Sequence, residues 1–200
     1  MPLRLSNKEV NSITQQVVRD RPFTAYLKKQ LQREFEEIYH QFLSDFNGHT
    51  VTKEIEGGSR SPNISGTLGG VGNLFTYIGF DSGSQPITRL REVLETYHIR
   101  YNIQKNSVQI ILEVPTKEQV FIATPMPWAM GRSWARGIER GISGFGEYLV
   151  KNTPLARSKS GFAIQADNKI RAGRFSNTSY MSALLNDYYK KIQKLENKTL

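Results

Sequence analysis

The chain has 200 residues, 38% hydrophobic, 10% aromatic and 22% charged, a composition that folds as one domain of ordinary size, with or without long arms. It has no cysteine and three histidines (His40, His49, His98), which excludes disulfides, a thiol nucleophile and a thiolate zinc site, and argues against a multi-histidine metal centre. No run approaches the roughly 18 uninterrupted apolar residues of a membrane span, and Met1-Pro2-Leu3-Arg4 lacks the apolar core of a signal peptide, so neither membrane insertion nor export by that route is expected.

The net charge of +9 is unevenly spread. Residues 151–200 hold ten basic and three acidic residues, so this end carries most of the excess on an otherwise nearly neutral body. Two readings stand. The basic end faces something negative, either nucleic acid or the acidic face of a partner, or it serves solubility alone.

In chain order, residues 1–21 are polar, with Val10, Ile13, Val17 and Val18 at helix-like intervals, and predict a short helix or an ordered arm. Residues 22–200 read as a single α+β domain. From Pro22 the residues Phe23, Leu27, Leu31, Phe35, Ile38, Phe42 and Phe46 recur in steps of four and three, placing them on one helical stripe. Pro22 suits a first turn and Gly48 a C-terminal cap, so a helix is predicted over 22–47. At 1.5 Å per residue it runs about 38 Å, longer than a body of this size needs.

Six of the sixteen residues from Gly57 to Gly72 are glycine, which predicts a flexible or partner-contacting loop. The apolar run Asn73–Phe80 reads as a strand, Asp81–Ser84 as a turn, and Pro86 as the start of a helix burying Ile87, Leu90, Leu94 and Tyr97. Alternation in Ile99–Ile103 and Val108–Leu112, around Gln104-Lys105-Asn106-Ser107, predicts a hairpin. Phe121-Ile122-Ala123 reads as a further strand, followed by a proline-stiffened loop over Thr124–Trp128.

A third long helix is predicted from Trp134, Ile138, Ile142, Phe145 and Leu149, with Gly137, Gly141 and Gly144 along an adjacent line. Each interior glycine costs about 1 kcal/mol relative to alanine, so their smallness should serve a close approach, either to the chain's own sheet or to a second subunit. Residues 151–178 read as a basic, turn-rich arm. A final helix near Ser179 should bury Met181, Leu184, Leu185, Tyr188, Ile192 and Leu195, with Lys190, Lys191 and Lys194 in its last turns.

The familiar catalytic patterns each fail at a specific residue. The glycine loop lacks the lysine of G-x-x-x-x-G-K-[ST], fails G-x-G-x-x-G at Phe75, and leads into a strand instead of a helix. Gly141-Ile142-Ser143-Gly144-Phe145 misses the last glycine of a nucleophile elbow. Glu54 with Glu56 reads as an exposed pair, and His49 beside Gly48 as a helix-cap residue. No catalytic residue, cofactor or metal ligand is expected. Arg132, Arg136 and Arg140 fall every four residues on one line of the third helix beside Trp128 and Trp134, a pattern that tracks phosphates and stacks bases when it binds nucleic acid. Glu139 and Glu147 share that helix, and a solvated or interfacial face is the commoner meaning.

The run Ile64-Ser65-Gly66-Thr67-Leu68-Gly69-Gly70-Val71-Gly72-Asn73-Leu74-Phe75-Thr76-Tyr77-Ile78-Gly79-Phe80 resembles the "(S/T)-G-x-L … φ-x-φ-G" stretch of head–tail joining and tail-completion proteins of tailed phages. The preceding long helix, Pro127-Trp128-Ala129-Met130-Gly131-Arg132-Ser133-Trp134, and Arg174-Phe175-Ser176-Asn177-Thr178-Ser179-Tyr180-Met181 before the last helix are similar to that family's order of elements. The resemblance covers roughly residues 22–195. The helix at 86–98, the longer central region and the N-terminal arm depart from its compact pattern.

The resemblance implies a small antiparallel β-sheet flanked by long amphipathic helices. It also implies a virion protein, assembled in the host cytoplasm as a homo-oligomeric ring in the neck or at the tail top, against portal, neck or tail proteins. It offers no catalytic residues. Gly66, Gly69, Gly70, Gly72, Arg132, Trp134, Arg136, Gly137, Arg140 and Gly141 are the expected interface residues, with loop 57–72 ordering on assembly. The basic end would face an acidic neighbour or, non-specifically, DNA in the lumen. A non-virion nucleic-acid-binding accessory protein is the alternative. A nuclease would require a carboxylate cluster that the sequence does not display.

Overall fold

In a computed structural model of the chain, the described residues are 7–68, 72–127, 129–140 and 178–198. The architecture is α+β, with long amphipathic helices around two small antiparallel β-hairpins. Helix α1 (Asn7–Arg19) leads into α2 (Arg21–Gly48), so the arm is helical and the predicted long helix stands within one residue at each end. Pro22 sits in the first turn of α2, where its missing N–H has no helical partner to lose.

Only the C-terminal half of α2 enters the core. Phe35, Tyr39, Phe42 and Phe46 are buried at steps of four, three and four, whereas Phe23, at the other end of the predicted stripe, is exposed. Helix α8 (Met181–Lys198) lies along that buried half, with the Phe42 and Tyr188 rings stacked at 4.4 Å and 13°. Truncating any of these phenylalanines to alanine costs about 3–5 kcal/mol, the scale of an unfilled aromatic cavity. Lys191 fastens the same helix pair at its surface, 2.8 Å from Asp187 and 4.0 Å from Asp45.

His49 breaks the long helix and starts the next. Its Nδ1 accepts the Val51 N–H at 3.2 Å, capping α3 (Thr50–Glu56), as the sequence reading of a cap residue anticipates. Helix α5 (Pro86–Leu94) buries Ile87, Leu90 and Leu94. Strands β1 (His98–Ile103) and β2 (Val108–Glu113) then form the predicted hairpin, in unbroken register from His98↔Glu113 to Ile103↔Val108.

Two predicted strands are helices. Leu74–Ile78 forms α4, not a strand over Asn73–Phe80. Asn73 caps it by accepting the Thr76 N–H at 2.9 Å, and Gly79 ends it at φ 87°, a left-handed position that a glycine takes without strain. All five helical residues are buried, so the run carries no polar face from which a period could be read. Similarly, Phe121-Ile122-Ala123 belongs to the end of α6 (Lys117–Ile122), whose capping box pairs Thr116 with Gln119.

The proline loop contains a short strand. β3 (Pro125–Met126) pairs with β4 (Ala129–Ser133), which turns into α7 (Trp134–Glu139) at the Ser133 cap. Trp134 and Ile138 are buried, as the stripe predicts, but Ile142, Phe145, Leu149 and Gly144 lie outside the described residues, as does the basic arm up to residue 177. The chain's return is anchored firmly. Tyr180 stacks on Trp134 at 6.3 Å, its hydroxyl is 2.9 Å from that of Thr52, and the Glu139 carboxylate accepts both the Ser182 N–H and the Ser182 hydroxyl, the latter at 2.6 Å.

Candidate assembly interface

Three environments are candidates for an interface, two of which hold expected interface residues. Arg132, Arg136, Gly137 and Arg140 line one groove of about 790 Å³, with Phe121, Ile122 and Met126 among its apolar walls. The route to this convergence differs from the sequence reading. Arg132 lies on β4, not on the helix, because Ser133 accepts the Arg136 N–H and so fixes the helix start after Arg132. The β4–α7 turn then brings all three guanidinium-bearing residues to the same opening.

Arg136 is seated over the Phe121 ring at 4.4 Å, a cation–π contact that holds its head at the groove wall. Ile122, 74% exposed, and Met130, fully exposed, add apolar surface beside the cationic residues. Such a surface suits a partner that brings both negative charge and apolar side chains. Trp134 cannot contribute. It is sealed in the core against Tyr180 and edge-on to Phe80 at 6.0 Å, so it neither stacks a base nor meets a partner. Trp128 and Gly141 lie outside the described residues.

The second environment is the glycine loop. Gly66 and Gly72 adopt positive φ values of 68° and 70°, while Gly69 and Gly70 lie outside the described residues. The loop's described part is tied to the body by hydrogen bonds. Glu54, read from sequence as exposed, is completely buried beneath it. One of its oxygens, Oε1, accepts the Leu74 N–H at 2.7 Å and the Asn63 side-chain N–H at 2.8 Å, and Oε2 accepts the Ser65 N–H at 2.8 Å. Asn73 adds a second clamp, donating to the Ser59 and Ser61 carbonyls at 2.9 and 2.8 Å. Thr67 and Leu68 are buried as a result.

The third environment is one the sequence reading did not single out. Val10, Ile13 and Val17 on α1, with Phe23 and Tyr26 on α2, stay exposed where the two helices extend beyond the core; Tyr26 is 67% exposed. The signal was present in the periodic valines of α1, but only the structure shows that just Val18 of them turns inward.

Among the described residues no group of three or more His, Asp or Glu side chains is placed to hold a metal ion, and no helix is long and apolar enough to cross a membrane. Of the basic C-terminal residues, Lys190 and Lys194 are exposed on α8. No family model, curated protein or solved structure matches the chain.

Proposed function

We propose that the chain is a structural virion protein of a tailed phage, a ring-forming subunit of the neck, head–tail connector or tail-completion type. The observation that carries this reading is the exposed apolar surface of the α1–α2 extension, Val10, Ile13, Val17, Phe23 and Tyr26, held away from the core by a helix about 42 Å long. Monomers seldom keep such a row uncovered, and a subunit covers it with a neighbour. The arginine-lined groove adds a second, differently charged surface. Two unlike patches on one chain are what a closed ring of heterologous contacts requires. The resemblance in the two glycine- and aromatic-rich stretches supplies the phage context.

Mass spectrometry of purified particles tests the proposal. The chain should co-purify at a fixed copy number matching one ring per particle, and its absence from particles overturns the reading.

The convergence of Arg132, Arg136 and Arg140 favours one alternative, a nucleic-acid-binding accessory protein. In that case DNA affinity falls steeply with salt, and each arginine changed to alanine lowers the salt slope by about one. For the structural subunit, those substitutions weaken assembly and leave DNA binding weak and sequence-independent.

A further inference from the structure

The β1–β2 hairpin is incomplete as a sheet. Among the described residues no third strand joins it, so the outer backbone N–H and C=O groups of β1 and β2 form two open edges. A two-stranded hairpin is marginal by itself in water. Its inner face carries Ile99, Tyr101 and Ile103 opposite Leu112, Ile110 and Val108, an entirely apolar set apart from one hydroxyl. That face rests on α2, with the Tyr101 hydroxyl donating to the Lys28 carbonyl at 3.4 Å and the Lys28 ammonium 5.0 Å from the ring. The cover is partial. None of the six side chains is buried, and Ile103 is 51% exposed.

Edges of this kind are usually blunted by proline, lysine, a bulge or very short strands. Neither six-residue strand contains proline or lysine, and the register runs without a bulge. What the edges do carry is opposite charge. On the outer face β1 presents His98 and Arg100 and β2 presents Glu113, with Arg100 and Glu113 3.0 Å apart within the hairpin. Pairing β1 with another β1 sets arginine beside arginine, and β2 with β2 sets glutamate beside glutamate. Pairing β1 with the β2 of a second copy repeats the arrangement already found inside one chain. Charge thus selects the unlike edges.

We propose that the β1 edge of one copy pairs antiparallel with the β2 edge of the next, joining hairpins head to tail into a continuous sheet. Strand direction allows it: β1 and β2 alternate along such a sheet, so every copy keeps the same orientation, and the contact is heterologous and can close. Each junction satisfies edge backbone groups and extends the apolar face across neighbouring copies. This deepens the ring reading and rests on it.

The test uses the full chain and measures oligomer mass over a concentration series. Arg100→Glu and Glu113→Arg should each weaken self-association by roughly tenfold, from like charges across every junction. An equimolar mixture of the two should recover it, because alternating copies pair opposite charges at each junction even though each hairpin keeps its internal repulsion. The double variant R100E/E113R retains an internal ion pair, which guards against simple misfolding. It should assemble alone yet exclude the wild-type chain. Single variants that assemble like wild type, with a double variant that mixes freely, overturn the edge pairing and leave a ring built on other surfaces. Arg100→Glu binding the wild-type chain more tightly than either chain binds itself overturns it in favour of β1–β1 pairing, where only the mixed pair sets opposite charges side by side. A wild-type chain that stays monomeric throughout overturns both the edge pairing and the ring.

Discussion

The Leu74 N–H donates to the Glu54 carboxylate at 2.7 Å, joining the buried side of α3 to the first turn of α4 across 20 residues of sequence. That N–H is one of the orphan donors every helix leaves at its start, so the carboxylate both fixes the loop and satisfies α4.

Replacing Glu54 with alanine strands three donors in a water-poor site, and stability should fall by about 2–4 kcal/mol. Glu54→Gln keeps the size but turns an amide N–H toward one of those donors, so that variant should recover only part of the loss. Chemical denaturation measures both, and hydrogen exchange should show faster opening over residues 58–68 than over α2. Wild-type stability in Glu54→Ala contradicts the clamp.

Tyr188 presents the opposite case. Its ring is stacked on Phe42 in the core, and its hydroxyl, buried with it, has no hydrogen-bond partner among the described residues. Burial also holds that hydroxyl well above the usual tyrosine pKa. A buried polar group without a partner is a standing cost, so Tyr188→Phe should raise stability by about 1 kcal/mol, seen as a higher melting temperature. A loss of similar size instead would mean that the hydroxyl is bonded.

His49 makes the junction between α2 and α3 sensitive to pH. Its Nδ1 accepts the Val51 N–H, its ring lies 4.9 Å from that of Tyr180, and burial holds its pKa below the ordinary 6.5 despite a hydrogen bond with the Ser179 backbone. A histidine depressed in the folded state binds its proton more readily when unfolded. Its contribution is therefore complete above 6.5 and is lost as pH falls below that value toward the folded pKa. His49→Asn keeps a capping acceptor without a titrating group, and should flatten the loss of stability between about pH 6.5 and 5 as followed by thermal melts. An unchanged acid slope in that variant assigns the effect to other groups.

What could be read from the sequence follows from how much polar surface each element keeps. Helices α2, α5 and α8 each bury one side, and the β1–β2 hairpin partly covers one face, so their periods stand out. Helix α4 buries every side chain and α6 is only six residues long, and without a polar face an apolar run is ambiguous between strand and helix. Their caps, Asn73 with Gly79 and Thr116 with Gln119, were the better local evidence. Ser133 was likewise the sign that Arg132 precedes the helix. The burial of Glu54 was not legible, because its donors at positions 63, 65 and 74 come together only through the folded loop. The convergence of Arg132, Arg136 and Arg140 was legible as spacing, although a strand-to-helix turn produces it.

The mass of the purified full-length chain in solution, followed from dilute to concentrated conditions, bears most directly on whether this molecule acts by assembling with itself. A ring-forming subunit gives a single discrete oligomer with closed symmetry that replaces the monomer as concentration rises. A monomer that persists across the whole range, with its exposed α1–α2 surface still uncovered, contradicts it.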